Sequence, residues 1–282
     1  MGDVTIGLLH PGEMGAAVGQ CLATAGHEVL WVPEGRSAAS TARAEAAGLT
    51  AADEGLVRLA RRADVIISVC PPHAALQTAR QVAGCGFGAV YVDANAISPE
   101  TAREIAAIVE AGGADYVDGA IIGTPPVAPG FIRMYLSGPR AAEVRALFDG
   151  TEADARLVPA PGAASAVKMA YASWTKGSAA LLLAARALAR AEGVESVLLD
   201  EWSISQPGLD RRSADAAGSA ASKGWRWVAE MDEIAATMAA AGLPEGFHRA
   251  AAEIYLRSPH GEDASADAVL TGLQQGPRRS DR

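Results

Sequence analysis

Cysteine, histidine and basic charge are all scarce in this 282-residue sequence, and each shortage removes a class of function. The three cysteines, Cys21, Cys70 and Cys85, form neither an even disulfide framework nor a CxxC pair, so each reads as a small buried hydrophobe. His10, His27, His73, His248 and His260 never pair with a second ligand at helical spacing, and no metal site is expected. Lys and Arg number 24 against 33 Asp and Glu, a net charge of −9. Phosphate backbones are bound by clustered positive charge, so nucleic acid is not an expected partner. The apolar stretch SAALLLAARALARA is broken by Arg186 and Arg190 and falls short of the roughly 20 apolar residues of a membrane helix. The opening MGDVTIGLLHPGEMG has neither the basic start nor the long apolar core of a signal peptide, and the expected address is cytoplasmic. There is no GxSxG elbow for a serine hydrolase and no GxxxxGKS/T loop for a nucleoside triphosphate.

What is present is apolar and ordered by period. With 50% hydrophobic and 20% charged residues the chain can bury a large core as one large or two medium domains, and dominant disorder is excluded. Short β-branched runs alternate with Ala-rich helical segments from Val4 to about Val158. That alternation predicts a Rossmann-type, doubly wound parallel sheet with strands at Val4 to Leu9, Val29 to Val32, Val65 to Val69, Val90 to Asp93, Tyr116 to Ala120, Met134 to Leu136 and Arg156 to Val158. Ser98 stands before Pro99 and Glu100 as a helix cap. After VPAPGAAS the pattern turns helical, so a nucleotide domain over residues 1–161 and an all-helical domain over 162–282 are expected. The first helix of the second domain, Ala163 to about Glu192, is apolar on most sides, which calls for a wrapped bundle or a homodimer. Arg278, Arg279 and Arg282 read as a frayed terminus.

The segment VTIGLLHPGEMGAAVGQCLATAGHEVLWV is strand, tight turn, helix and strand in succession, the context of a dinucleotide site. In its turn Pro11, Gly12, Glu13 and Met14 form the expected pyrophosphate cradle: Gly12 admits the anion to the backbone, Gly15 lets helix and strand pack closely, and the N–H groups opening the helix face the charge. His10 occupies the place of the first glycine of GxGxxG. The second strand ends in PEGRSAAS. Glu34 suits a ribose hydroxyl and therefore NAD, whereas Arg36 with Ser37 and Ser40 suits a 2′-phosphate; the compact cation-plus-hydroxyl set favours NADP as cofactor, with NAD the alternative.

The run GLLHPGEMG, ADVIISVCPP, VDANAISPET, DYVDGAIIGTPP and GAASAVKMAYASWTKG resembles the β-hydroxyacid dehydrogenase and 6-phosphogluconate dehydrogenase superfamily, in order and spacing, over about the first 180 residues. The resemblance implies that Cys70, Pro71 and Pro72 lie along the cofactor and that the loop Ala94 to Ala96 approaches the nicotinamide. Asn95 either serves that approach or bonds its own backbone as a turn residue. The resemblance also implies that Lys168 is the general acid or base toward the substrate oxygen, and apolar neighbours would bring its pKa toward working pH. Two departures bear on substrate. Ile122, Gly123 and Thr124 stand where the hydroxyacid dehydrogenases carry a carboxylate-binding serine-glycine-glycine, and Ala172 replaces an asparagine four residues after the lysine. Tyr171 shares a helix face with Lys168 and either donates a proton or packs in the core. In SKGWRWVAEMDEIAATMAAAGLP, which resembles the family's segment closing over the active site, Glu230 or Asp232 takes the place of a second lysine. Trp227 and Met231 there either wall an apolar substrate pocket or belong to the core. With no basic cluster for a sugar phosphate in the second domain, the resemblance points to reversible reduction of a small-to-medium ketone or aldehyde. Imine reduction on the same scaffold is the alternative, and a non-catalytic NADPH sensor is a third reading.

Overall fold

The structure is a computed structural model that describes residues 4–52, 55–125, 130–259 and 265–275. The arginines Arg278, Arg279 and Arg282 of the expected frayed terminus, and His260, lie outside the described residues. The chain divides into two compact units, residues 1–169 and 170–282.

The first unit runs β1 (Thr5–Leu9), α1 (Glu13–Thr24), β2 (Glu28–Trp31), α2 (Ala38–Ala46), β3 (Thr50–Ala51), α3 (Gly55–Arg62), β4 (Val65–Ser68), α4 (Pro72–Gly84), β5 (Val90–Asp93), α5 (Pro99–Ala111), β6 (Asp115–Gly123), β7 (Ile132–Ser137), α6 (Ala141–Ala146), β8 (Asp154–Leu157) and the start of α7 (Ala163–Ala191). Its strands form one eight-stranded sheet in the order β3-β2-β1-β4-β5-β6-β7-β8. The strands are short and apolar because both sheet faces are covered. Ile66 and Ile67 are adjacent, point to opposite faces and are both 0% exposed, one in each of the two flanking cores, and each such burial contributes about 1.5–3 kcal/mol. Helix α5 starts where the sequence places it: Ser98 Oγ accepts the Thr101 N–H at 3.1 Å, a cap of about 1 kcal/mol.

Two features differ from the sequence expectation. Strand β3 is an additional edge of only two residues, pairing Thr50 with Leu30 and Ala51 with Trp31. Strand β7 runs antiparallel to β6, pairing Asp118 with Ser137 through to Gly123 with Ile132; a connection this short turns a strand back on its neighbour, whereas a parallel return needs a crossover of about a dozen residues. The strand order reverses at β1, which lies between β2 and β4. In an open α/β sheet the carboxyl ends at such a reversal border the ligand crevice.

The second unit is helical. It holds the remainder of α7, then α8 (Glu195–Ser205), α9 (Leu209–Lys223), α10 (Trp227–Ala240), α11 (Gly246–Arg257) and α12 (Ala266–Gln274). Leu183, Ile234, Tyr255, Val269 and Leu270 form its interior. Arg190 bridges Glu195 and Asp267, each at 2.7 Å, so that α12 is tied to α7. Among the described residues no helix is long and apolar enough to cross a membrane.

Candidate functional site

The β1–α1 turn is built around His10. It is the only described non-glycine residue with a positive φ, at 69°, so it adopts the left-handed backbone that the first glycine of GxGxxG supplies elsewhere. Its carbonyl accepts the Gly12 N–H at 2.8 Å, and a Cβ on Gly15 would collide with that same carbonyl oxygen. Gly12 is the N-cap of α1 and offers it no side-chain hydrogen bond, and a Cβ there would meet nothing within 4 Å. A helix start open to solvent, with a glycine in front and a second glycine holding the helix against the turn, fits a dinucleotide pyrophosphate. The imidazole of His10 is partly buried and its Nδ1 has no hydrogen-bond partner among the described residues. Burial first, and the Arg36 charge second, push its pKa down to about 4.

After β2 the chain turns, with Arg36 N–H donating to Pro33 O at 3.1 Å, and Ser37 caps α2 by accepting the Ser40 N–H at 3.2 Å. The hydroxyls of Ser37 and Ser40 meet at 3.1 Å, and Arg43 donates to Ser40 Oγ at 3.2 Å. Arg43 therefore joins the set Arg36, Ser37 and Ser40. Sequence reasoning missed it, although its position one helical turn after Ser40 carried the signal. Exposed Glu34 has its Oε2 2.9 Å from where a Cβ on Gly55 would stand at the start of α3. Burial lowers the Arg36 guanidinium from its ordinary value.

At the ends of β4 and β5 the side chain of Asn95 is fully engaged. Its Oδ1 accepts the Cys70 N–H at 2.6 Å, and its Nδ2 donates to Ser68 Oγ at 3.2 Å and Asp93 Oδ2 at 3.0 Å. Asn95 is 2% exposed. Its amide thus positions the turn Cys70–Pro71 from below, where the sequence left a cofactor contact or a local turn bond open. Pro71 is the N-cap of α4 and Pro72 opens it, a place where the missing N–H costs nothing. Burial pushes the Cys70 thiol up to about 11, so it stays protonated and packs as a hydrophobe.

Helix α7 is anchored on β6 and β7. Asp118 accepts from Ser137 Oγ at 2.9 Å, from Ser165 Oγ at 2.6 Å and from the Ser165 N–H at 3.1 Å. Burial raises the Asp118 carboxyl from its ordinary value, and these hydrogen bonds oppose the rise. One turn further along α7, partly buried Lys168 donates from Nζ to the Ile121 carbonyl at 2.9 Å. The strand then delivers Ile122, which is buried at 3% exposure, and exposed Gly123 and Thr124. Gly123 has φ 128°, and a Cβ there would overlap the Phe131 carbonyl. The structure thus brings Lys168 beside the strand that carries these three residues. Tyr171 follows Lys168 by one helical turn and is 46% exposed.

Within the helical unit, Trp227 packs edge-on against Tyr255 with ring centroids 5.0 Å apart, and Met231 is fully buried. The Met231 side chain therefore has core contacts and no free surface to wall a pocket. Glu230 is the inward-facing acid of this stretch, whereas Asp232 is exposed. Glu230 pairs with Lys176, whose Nζ also lies 5.4 Å from the Trp227 ring centroid. Lys176 went unnoticed in the sequence; a lone cation eight positions after Lys168 in an apolar helix was the available signal.

Residues 5–146 match the family model described as the NAD binding domain of 6-phosphogluconate dehydrogenase, and residues 189–258 match a domain of unknown function, DUF1932. No curated protein matches the chain. Among solved structures, the chain is similar to a conserved protein of unknown function described as structurally similar to 3-hydroxyacid dehydrogenases, with 28% identity, coverage of 95% of this chain and 99% of that one, and a TM-score of 0.65. It shares its fold with the 3-hydroxyisobutyrate dehydrogenase of Mycobacterium tuberculosis, at 20% identity, 97% and 100% coverage and a TM-score of 0.71. The reductive aminase of Aspergillus terreus has the same fold at 20% identity, 97% and 100% coverage and a TM-score of 0.56.

Proposed function

The chain belongs to the family of the 6-phosphogluconate dehydrogenase NAD-binding domain, and from that premise we propose that it is an NADP-dependent oxidoreductase acting on a small-to-medium carbonyl or alcohol. The observation that carries this reading is Lys168, whose amine is held 2.9 Å from the Ile121 carbonyl beside the strand end that exposes Gly123 and Thr124. A bound nicotinamide would supply or accept the hydride. The chain's own part is to hold a proton at the substrate oxygen: the Lys168 ammonium donates to a developing alkoxide during reduction, and the amine takes the proton back during oxidation. Tyr171, three residues on along the same helix, assists in that transfer. Gly123 and Thr124 offer backbone and a hydroxyl to the substrate in place of the family's serine.

For the cofactor, the residues present fit the dinucleotide. The Gly12 turn takes the pyrophosphate, Pro71 and Pro72 lie along it, and Arg36, Ser37, Ser40 and Arg43 take the 2′-phosphate. Support for NADP over NAD comes from the hydroxyl-and-cation cluster of Ser37, Ser40 and Arg43 that follows Arg36. The homodimer expectation is supported by an apolar stripe along α7, where Trp174, Leu181 and Leu188 recur every seventh residue and are 68%, 54% and 64% exposed.

Lys168→Ala tests the role directly. NADPH affinity is expected to stay within about two-fold while kcat falls by about 10²-fold or more, the scale of general acid–base catalysis. Turnover within two-fold of the parent refutes it. A substrate panel of ketones, aldehydes and cyclic imines separates carbonyl from imine reduction, and failure of every member to consume NADPH supports the sensor reading instead.

A further inference from the structure

Asp93 closes β5 at 0% exposure, and the chemistry proposed above does not use it. Its carboxylate meets Asn95 twice: Oδ1 accepts the Asn95 N–H and Oδ2 accepts from Asn95 Nδ2, each at 3.0 Å. These two bonds decide which way the Asn95 amide faces. With Nδ2 committed to Asp93 and to Ser68 Oγ, Oδ1 is the atom left for the Cys70 N–H, which it accepts at 2.6 Å. A flipped amide would set its oxygen against the carboxylate and its N–H against an N–H. The Cys70 N–H depends on this bond because β4 has ended. Ser68 pairs with Asp93 in the sheet register, the Val69 N–H still reaches the Leu9 carbonyl at 3.2 Å, and the next N–H along the chain finds a side chain in place of a strand. Directly beyond it Pro71 and Pro72 open α4 without N–H groups of their own. Asn95 therefore clamps the end of β4 to the end of β5, and Asp93 holds the clamp in its working orientation.

We propose that Asp93 is a positioning residue for the cofactor: by orienting the Asn95 amide it ties the turn Cys70–Pro72 to the loop Ala94–Ala96, so that the surface facing NADPH is assembled before NADPH arrives. This deepens the NADP reading and rests on it, since that reading sets both segments along the cofactor. Order built in beforehand lowers the cost of binding, and a buried polar network rigidifies its surroundings only when every donor meets an acceptor.

The test exchanges donor and acceptor. In Asn95→Asp two carboxylates face each other where an amide faced one, and they stay in contact only while they share a proton. The double variant Asp93→Asn with Asn95→Asp puts an amide opposite a carboxylate again: residue 95 still accepts the Cys70 N–H, and residue 93 now donates across. The other ionisable groups bearing on this face stay neutral near neutral pH. Burial first, with the Asp93 charge adding to it, pushes the Cys70 thiol up to about 11 and the Tyr91 and Tyr116 phenols well above their ordinary range. Asp118, next to Asp93 in the β5–β6 register, is common to parent and variants.

Binding of NADPH and of adenosine 2′,5′-bisphosphate to the full chain is measured by calorimetry from about pH 5 to about pH 9, with urea midpoints alongside. Relative to the parent, Asn95→Asp is expected to lose about ten-fold or more of its NADPH affinity as pH rises through that window, while the bisphosphate, held at the β1–α1 and β2–α2 turns, stays within about three-fold. The double variant is expected to bind NADPH within about three-fold of the parent throughout. An Asn95→Asp affinity that follows the parent's at every pH overturns the inference. So does a loss that the double variant does not restore, which would make the Asn95 amide itself a cofactor contact, and so does an equal loss for both ligands. Urea midpoints that fall while NADPH affinity holds would leave Asp93 a purely structural role. If Asn95→Asp does not fold, the double variant decides alone: failure to fold, or NADPH affinity about ten-fold weaker than the parent's, overturns the inference. A parent that binds no NADPH removes the NADP reading, and the inference falls with it.

Discussion

Asp118 accepts both the hydroxyl and the backbone N–H of Ser165, at 2.6 and 3.1 Å, so a carboxylate on a central strand caps the helix that carries Lys168. The capped residue and Lys168 are three residues apart along α7, as are Asp118 and Ile121 along β6, and the two contacts together tie α7 to the strand. Asp118→Ala leaves three buried donors without their acceptor and should destabilise the protein by about 2–4 kcal/mol, against about 1 kcal/mol for Ser165→Ala. Urea denaturation measures both. A loss below about 0.5 kcal/mol for Asp118→Ala would mean that α7 is held by other contacts.

The two glycines of the first turn should fail in opposite ways. Gly12 has open space where a Cβ would go and a φ of −69°, so Gly12→Ala should fold with a stability within about 0.5 kcal/mol of the parent yet lose NADPH affinity, because the added methyl stands where the pyrophosphate approaches. Gly15→Ala presses on the His10 carbonyl and should cost about 1–3 kcal/mol of stability. Thermal melts with fluorescence titration of NADPH read both effects; tight NADPH binding by Gly12→Ala would remove the cradle from that turn.

In the helical unit the Lys176–Glu230 pair is largely buried, with side chains 19% and 7% exposed. Removing one member strands the other charge. Lys176→Met should cost about 3–5 kcal/mol, and the double change Lys176→Met with Glu230→Leu much less, since replacing a whole buried pair by apolar groups is close to neutral. Equal losses in the single and double variants, measured by chemical denaturation, would contradict this.

Stability should also carry a signature of His10. Its folded pKa of about 4 lies below the ordinary 6.5, so the unfolded chain binds the proton more readily than the folded one. The contribution of the neutral imidazole is complete above pH 6.5 and is lost as pH falls toward 4. Urea midpoints of the apoprotein across that window should therefore drop less steeply in His10→Gly than in the parent. Identical slopes would show that the imidazole titrates freely in the folded state.

The sheet was legible because parallel strands covered on both faces read as continuous β-branched runs, as at Val65 to Ser68 and Val90 to Asp93. Thr50 and Ala51 escaped because two residues at an edge carry no period. The reversal of β7 escaped because an apolar run does not state its direction; only the brevity of the preceding connection does. At the candidate site, residue types were legible and their partners were not. Asn95 stood out as a polar residue in a loop, but that its amide spans Cys70, Ser68 and Asp93 follows from strand register, which brings side chains distant in sequence within reach. Lys176 and Arg43 went unnoticed for the same reason, since their meaning lies in Glu230 and Ser40, the groups they meet.

Gly123 closes β6 with a conformation and a crowding that no side chain survives, because the Phe131 carbonyl fills the space. Chemical variety at this strand end is consequently confined to the flanking positions 122 and 124. Of these, Ile122 is interior and Thr124 is open. Side-chain change at the end of β6 thus falls on a single exposed residue, and a saturation library at Thr124 samples most of what the strand end is able to offer.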